Sequence, residues 1–190
     1  MEKEDVERLL EEVKNGSIEK YGVLINHFQQ QIFRYCYHML DHTQEAEDAV
    51  QDVFLKAYEH LDQYTYSQSF SAWLYRIAYN HCVNVLKRQK MRRLLPFLYH
   101  SENDGRNFVE EKIDHYYLNE PLQKVWNKLS SEERNIMILR VLEEKSYEEI
   151  SELTNKKTAA LRKQYERILK KCKRYLNRTG GIINEGQRSV

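Results

Sequence analysis

LSSEERNIMILRVLEEKSYEEISELTNKKTAALRKQYERILK, residues 129–170, carries one short signal twice: Ser130 with Glu133, and Ser146 with Glu149. In an S-x-x-E box the serine hydroxyl accepts from the amide three residues on, while the glutamate accepts from the serine's own amide, so a helix starts after each serine. Starts at 130 and 146 leave room only for short helices. A third helix, beginning near Thr158, places Leu161, Tyr165, Ile168, Leu169, Cys172 and Leu176 inward and leaves Arg162, Lys163, Arg167, Lys170, Lys171 and Arg174 facing other ways. Thr154 to Lys157 is then a tight turn in which Asn155 takes a left-handed conformation more cheaply than most side chains. Helical hairpins with this spacing also occur in proteins that never touch DNA, but the basic third helix favours a DNA-binding helix-turn-helix.

Working upstream, LYHSENDGRNFVEEKIDHYYLNE (98–120) lies between the only two prolines, Pro96 and Pro121, and is polar, acidic and without sustained period. It reads as a flexible linker. Before it, Val6, Leu9, Leu10 and Val13 form a short stripe that Asn15-Gly16 ends, with Ser17 placed to cap the next helix. Leu24, Phe28, Ile32, Tyr35, Cys36 and Met39 line that second helix. Thr43 is placed to cap a third, whose apolar face is Ala46, Ala49, Val50, Val53, Phe54, Ala57, Tyr58 and Leu61. A fourth carries Leu74, Ile77, Ala78, His81, Cys82 and Val85. The expected fold is all-α, two small helical domains on a tether. Its segments are an N-terminal helix (1–16), a first domain (17–94), the linker (95–119), a second domain (120–178) and a tail (179–190).

With 190 residues, 41% hydrophobic and 31% charged, the chain has enough apolar area for one modest core or two small ones. The formal charge of +1 conceals a strong asymmetry. Asp41 to Asp62 is acidic with only Lys56 opposing, and Arg162 to Arg178 is basic with only Glu166 opposing, so different faces should meet different partners. The charged start does not resemble a signal peptide, and no apolar run approaches the roughly 20 residues of a membrane span, so a cytoplasmic protein without membrane insertion is expected. Cys36, Cys82 and Cys172 are widely spaced and fall on or beside apolar stripes, as buried small hydrophobes do.

FSAWLYRIAYNHCVNVLKRQKMRR (70–93) sets aromatic and hydroxyl side chains ahead of Lys87, Arg88, Lys90, Arg92 and Arg93. Cations suit phosphates and rings suit bases, although cations also favour any helix C-terminus. Together with AEDAVQDVFLKAY (46–58) and the 129–170 block, in this order, it resembles the extracytoplasmic-function (group 4) sigma factors of RNA polymerase. The resemblance covers most of the chain. It implies a polymerase-binding helix in the first block, a promoter-melting segment in the second and a −35-reading helix-turn-helix in the third. Where the family usually has Leu-Pro, a turn glycine and an Asp after the melting segment, this sequence has Leu129-Ser130, Asn155 and Asn84. The family's Gly-Thr-Val-Lys-Ser-Arg reads Ala159-Ala160-Leu161-Arg162-Lys163-Gln164, so promoter preference does not carry over.

The resemblance implies an initiation subunit, not an enzyme, with no cofactor and no metal, monomeric when free. Its partners would be core polymerase (clamp helices and flap), promoter DNA and an anti-sigma factor of the often membrane-associated kind. Asp48, Gln51, Asp52, Phe54 and Leu55 are the candidate polymerase contacts. For −10 recognition and melting the candidates are Tyr64, Ser67, Ser69, Phe70, Ser71, Trp73, Asn80, Lys87, Arg88, Arg92 and Arg93, with Tyr66 a further ring. Trp73, at the head of an apolar stripe, and Phe70, as a hydrophobic staple, fit a core role better than a base platform. Lys157, Thr158, Arg162, Lys163, Gln164 and Arg167 are the −35 candidates. Arg pairs with guanine and Gln with adenine through two hydrogen bonds, whereas Lys157 and Arg167 suit phosphates. Two other classes compete: a regulator using the same C-terminal helices without polymerase, and a metal protein built on His42-x-x-Glu45 or on Glu110, Glu111, Asp114 and His115. The metal reading is weak because Glu45 lies opposite the apolar stripe.

Overall fold

A computed structural model describes residues 1–66, 69–94 and 120–178. The linker and tail expectations, at 95–119 and 179–190, lie outside the described residues. In the first half, α1 (Lys3–Lys14), α2 (Glu19–Leu40), α3 (Thr43–Glu59) and α4 (Phe70–Leu94) pack as a bundle, with a 3-10 turn at Leu61–Gln63. In the second half, α5 (Glu120–Trp126), α6 (Ser131–Met137), α7 (Tyr147–Thr154) and α8 (Thr158–Arg178) form the smaller module. The fold is all-α, in two helical domains.

The helices begin and end where backbone chemistry requires. α1 closes in a Schellman motif, with the Ser17 amide donating to Glu12 O and the Gly16 amide to Val13 O. Gly16 takes the left-handed φ of 101° that this motif needs. Two expected caps are corrected. Ser17 contributes no side-chain cap to α2; Ile18 holds the cap position, and the Ser17 and Ile18 carbonyls accept from the Lys20 and Tyr21 amides as the chain turns straight out of α1. Nor does Thr43 cap α3: extended His42 does, its Nδ1 accepting from the Glu45 amide at 3.3 Å. The His42-x-x-Glu45 spacing is thus a helix start. Among the described residues no cluster of His, Cys, Asp and Glu could hold a metal ion.

Both S-x-x-E boxes form in full at α6 and α7. α6 continues into a π-helical turn, Ile138–Leu142, which swings the chain toward α7. Asn155 ends α7 at φ 55°, and the turn is tied by Ser151 Oγ donating to Lys156 O at 2.6 Å and Thr154 Oγ1 donating to Ile150 O at 2.7 Å.

Among the described residues one apolar cluster runs through both modules. Leu10, Leu24, Ile32, Met39, Ala46, Val53 and Leu74 build it in the first half and Ile136, Leu139, Ile150, Leu161 and Ile168 in the second. Tyr58 and Leu169, expected inward, are exposed, since each lies at the edge of its stripe. Cys36 and Cys82 are fully buried free thiols. Their mutual contact and their burial push the Cys36 thiol well up, so it packs as an inert hydrophobe.

Candidate nucleic-acid interface

α3 separates its residues cleanly. Ala46, Ala49, Val53, Phe54 and Ala57 face the core, while Asp48, Gln51, Asp52 and Leu55 face solvent. Phe54 is corrected as a contact residue: it is 4% exposed, so its ring supports the helix from below. Leu55, 57% exposed, is the apolar group that the acidic row presents. Glu45 accepts from Gln89 Nε2 at 2.7 and 2.6 Å, tying α3 to the basic end of α4. Beneath Asp52 lies His81, 6% exposed, with Lys56 Nζ at 3.0 Å and Asp52 Oδ2 at 3.6 Å from its Nδ1. Burial and the Lys56 charge pull the His81 titration below its ordinary value against the opposing effect of Asp52.

The segment before α4 divides into structure and surface. The structure buries both Tyr64 and Phe70. At 3% and 2% exposed they form a ring cluster with Trp73, Tyr64 lying 5.5 Å from Phe70 and 5.3 Å from Trp73 between centroids. Burial and nearby Glu7 push the Tyr64 hydroxyl up to about 12. Trp73 is half-buried; Tyr66 is the outward ring, packed edge-on against Tyr64 at 5.4 Å. Ser69 Oγ accepts from the Ala72 amide at 3.1 Å and starts α4, so its hydroxyl is already engaged. Ser71 is half-buried, and Ser67 lies outside the described residues. Lys87, Arg88, Lys90 and Arg92 stand at the far end of α4, with Lys87, Arg88 and Arg92 well out in solvent, and Asn80 is exposed halfway along; the Arg93 side chain lies outside the described residues.

On α8, Lys163 and Arg167 are exposed and make no ion pair among the described residues, as is also true of Lys157 just before the helix. Thr158 opens the helix. Arg162 and Gln164 are held by their own module. The Arg162 guanidinium sits over the Tyr147 ring at 5.3 Å and 3.7 Å from Glu148, and Gln164 Oε1 accepts from Lys156 Nζ at 3.1 Å. Lys156 also pairs with Glu132.

Absent from the sequence reading is a polar seam joining the modules. Glu143, its side chain 4% exposed, accepts from Tyr75 Oη at 2.7 Å and from the Arg34 guanidinium at 3.3 and 3.2 Å. Tyr35 Oη donates to Asn135 Oδ1 at 2.7 Å, Arg76 to Glu152 O at 2.9 Å, and Trp126 Nε1 to His38 O at 3.1 Å. Burial and then the Glu143 charge drive the Tyr75 hydroxyl far up, so it stays a donor. A cavity of about 370 Å³ opens beside this seam, lined by Tyr79 and Asn80 from α4 and by Asn155 and Lys156 from the turn. These pairs join residues up to 109 apart in sequence, and no local pattern marks them.

Comparison with known proteins places this geometry. Residues 24–92 match the Sigma-70 region 2 family and residues 119–172 match Sigma-70, region 4. RNA polymerase sigma factor YlaC of Bacillus subtilis is 30% identical over 135 residues, 68% of this chain and 76% of its own. The ECF RNA polymerase sigma factor SigW of the same organism is 26% identical over 159 residues, 79% of this chain and 85% of its own. The chain belongs to the extracytoplasmic-function sigma factors. It is an alternative sigma factor, directing RNA polymerase to promoters. The fold of this sigma factor is also that of CnrH, solved in complex with the cytosolic domain of CnrY (TM-score 0.65, 18% identity, covering 90% of this chain and 96% of CnrH). It is shared by the sigma factor RpoE of Bartonella quintana, solved with the anti-sigma factor NepR (TM-score 0.60, 18% identity, 84% and 98% covered).

Proposed function

We propose that this sigma factor is a group 4 member that acts in the cytoplasm without covalent chemistry of its own, using three surfaces in sequence. The acidic row of Asp48, Gln51 and Asp52 with Leu55 docks on the polymerase clamp helices, and the second module reaches the flap. Charge complementarity there sets orientation and association rate more than final affinity. The segment from Tyr64 to Trp73 then holds the displaced strand at the −10 element, with Ser71, Asn80 and the rim of Trp73 as contacts and Lys87, Arg88 and Arg92 on phosphates. Stacking gives about 1–3 kcal/mol per base, comparable with the cost of unpairing one, so capture offsets melting without ATP. α8 lies in the −35 major groove with Lys163 at base edges and Lys157 and Arg167 on phosphates; Arg162 and Gln164 join once released from Glu148 and Lys156.

The single observation that carries this reading is that one chain presents an acidic row on α3, a basic end on α4 and exposed cations on α8, each within a helix of the matched regions. We further propose that residues 17–94 and 120–178 are the working domains, with α1 joined to the first because Val6, Leu10 and Val13 share its core. An anti-sigma factor is the proposed inhibitor, by likeness to the complexes of CnrH and RpoE. Asp48→Lys with Asp52→Lys should abolish binding to core polymerase from the native organism, measured by co-sedimentation; unchanged affinity rejects the docking assignment. Neutralising about five phosphates makes promoter affinity fall roughly 500-fold between 50 and 200 mM salt. A flat salt response contradicts the phosphate contacts.

A further inference from the structure

Lys14 closes α1, upstream of residue 24 where the region 2 match begins. Its Nζ donates to the Tyr64 carbonyl oxygen at 3.2 Å, across 50 residues of sequence. The same ammonium lies over two rings, 5.4 Å from the Tyr66 centroid and 5.9 Å from that of Tyr64. It therefore fixes both the backbone and the outward ring at the mouth of the segment that leads into α4. The helix carrying it is itself immobilised: Val6, Leu10 and Val13 are buried, and the Schellman turn at Gly16 sets where α1 stops.

Two roles are open to such a cation, clamping a phosphate or holding the loop, and the surrounding charge decides between them. After burial, Glu7 is the main influence raising the Tyr64 hydroxyl, and Glu11 and then Glu7 raise that of Tyr66. Glu7, which also pairs with Lys3 at 3.5 Å, and Glu11 balance the ammonium groups and leave this corner without positive surplus, whereas the far end of α4 carries Lys87, Arg88, Lys90 and Arg92. Phosphates go there. Lys14, already donating to a carbonyl and facing two rings, has the geometry of a brace.

We propose that Lys14 is a positioning residue for promoter opening, which makes α1 a strut that sets the Tyr64–Tyr66 backbone and presents the Tyr66 ring for an unpaired base to stack on. This rests on the reading that the 64–73 segment captures the displaced strand. Removing the charge leaves the ring and backbone free to wander, so the same polymerase binding captures fewer bases.

The test uses full-length protein with core polymerase, on a promoter that the factor selects from a random pool, reading opening by permanganate reactivity of unpaired thymines. Lys14→Met keeps the apolar stem and should lower the open fraction about ten-fold, the size of one hydrogen bond plus one exposed cation–ring contact. Core affinity should not move, the thermal midpoint should fall by only about 2–6 °C, the size of those same contacts, and Lys14→Arg should restore most of the opening. In the Tyr66→Leu background, Lys14→Met should cost nothing more, because coupled residues are non-additive. Wild-type opening by Lys14→Met alongside poor opening by Tyr66→Leu overturns the proposal alone. So does a Lys14→Met that loses core affinity and thermal stability and is not rescued by Arg. Normal opening by Tyr66→Leu, Trp73→Leu and Lys14→Met together overturns the strand-capture reading and the brace with it.

Discussion

The interior of the first module and the seam between the modules share one apolar cluster, yet the seam adds a layer of different material. Leu10, Leu24, Ile32, Met39, Ala46, Val53 and Leu74 are closed off from solvent and apolar, and Tyr21 Oη reaches Phe54 O at 2.6 Å to satisfy the phenol among them. The seam instead joins Tyr75 and Arg34 to Glu143, Tyr35 to Asn135, and Arg76, Trp126 and Arg134 to backbone carbonyls. Apolar surface loses its whole driving force when wetted, whereas hydrogen-bonding groups exchange one partner for water at a small net cost. The contrast teaches that the seam adds water-exchangeable hydrogen bonds to the apolar cluster the modules share, so it should open at lower cost than either module unfolds. A sigma factor that must span two promoter elements needs that difference.

The largest expected effect breaks the interior. Leu24→Ala should lower unfolding free energy by about 2–5 kcal/mol, since a fully buried leucine leaves a cavity that the bundle fills only in part; urea unfolding measures it. A cost below about 1 kcal/mol would mean that the interior is no tighter than the seam. Glu143→Ala attacks the seam. Because the Arg34 side chain is 52% exposed and can rehydrate, the stability cost should stay near ~1–2 kcal/mol, well under that of a fully buried pair. The distance between spectroscopic labels on α1 and α8 should broaden and lengthen. A loss as large as that of Leu24→Ala, with the distance unchanged, would make the seam part of one indivisible core.

Acid separates the two regions by the size of its effect. Burial holds both His81, in the first module, and His38, at the seam, below their ordinary value of 6.5. The unfolded chain then binds protons more readily, so the stability these neutral rings contribute is present above about pH 6.5 and is lost as pH falls below it. Around His81, Lys56 and Arg88 reinforce burial and Asp52 opposes it; around His38, Glu143 and Asp41 oppose it and Arg34 reinforces it. Between pH 7.5 and 5.5, His81→Gln should therefore flatten the fall in stability more than His38→Gln does. Equal flattening would show that the seam acids give His38 no relief.

How far the sequence could be read obeys the same division. Most local chemistry was legible: both S-x-x-E boxes, the left-handed Asn155, the end of α1 at Gly16 and the inward stripes of α2 and α3 are set by neighbours within a few residues, although the caps at Ser17 and Thr43 fell one residue away, at Ile18 and His42. Contacts across the fold were not. Tyr64 looks in sequence like a ring offered to a base, and only the approach of Trp73 and α1 shows it packed. Phe54 sits beside the acidic row in sequence but on the opposite side of the helix, a consequence of the helical period that the inward stripe already implied. Nothing near Glu143 announces that Arg34 and Tyr75 will meet it. The acidic and basic surfaces were legible because exposure needs no partner.

The smallest expected effect tests whether the turn of the helix-turn-helix belongs to the module or to the seam. Asn155 holds φ 55°, a conformation that costs a side chain about 1 kcal/mol and glycine nothing. Glycine also frees the unfolded chain, which offsets part of the relief. Asn155→Gly should therefore raise stability by about 0.5 kcal/mol or less, seen as a slight rise in thermal midpoint. Because Asn155 also lines the cavity between the modules, its side chain has two possible uses. If the turn is purely local, Asn155→Gly leaves the α1–α8 label distance and the Asn80 environment unchanged. If the distance shifts as it does in Glu143→Ala, the amide braces the closed pair, and the boundary between module and seam runs through the turn itself.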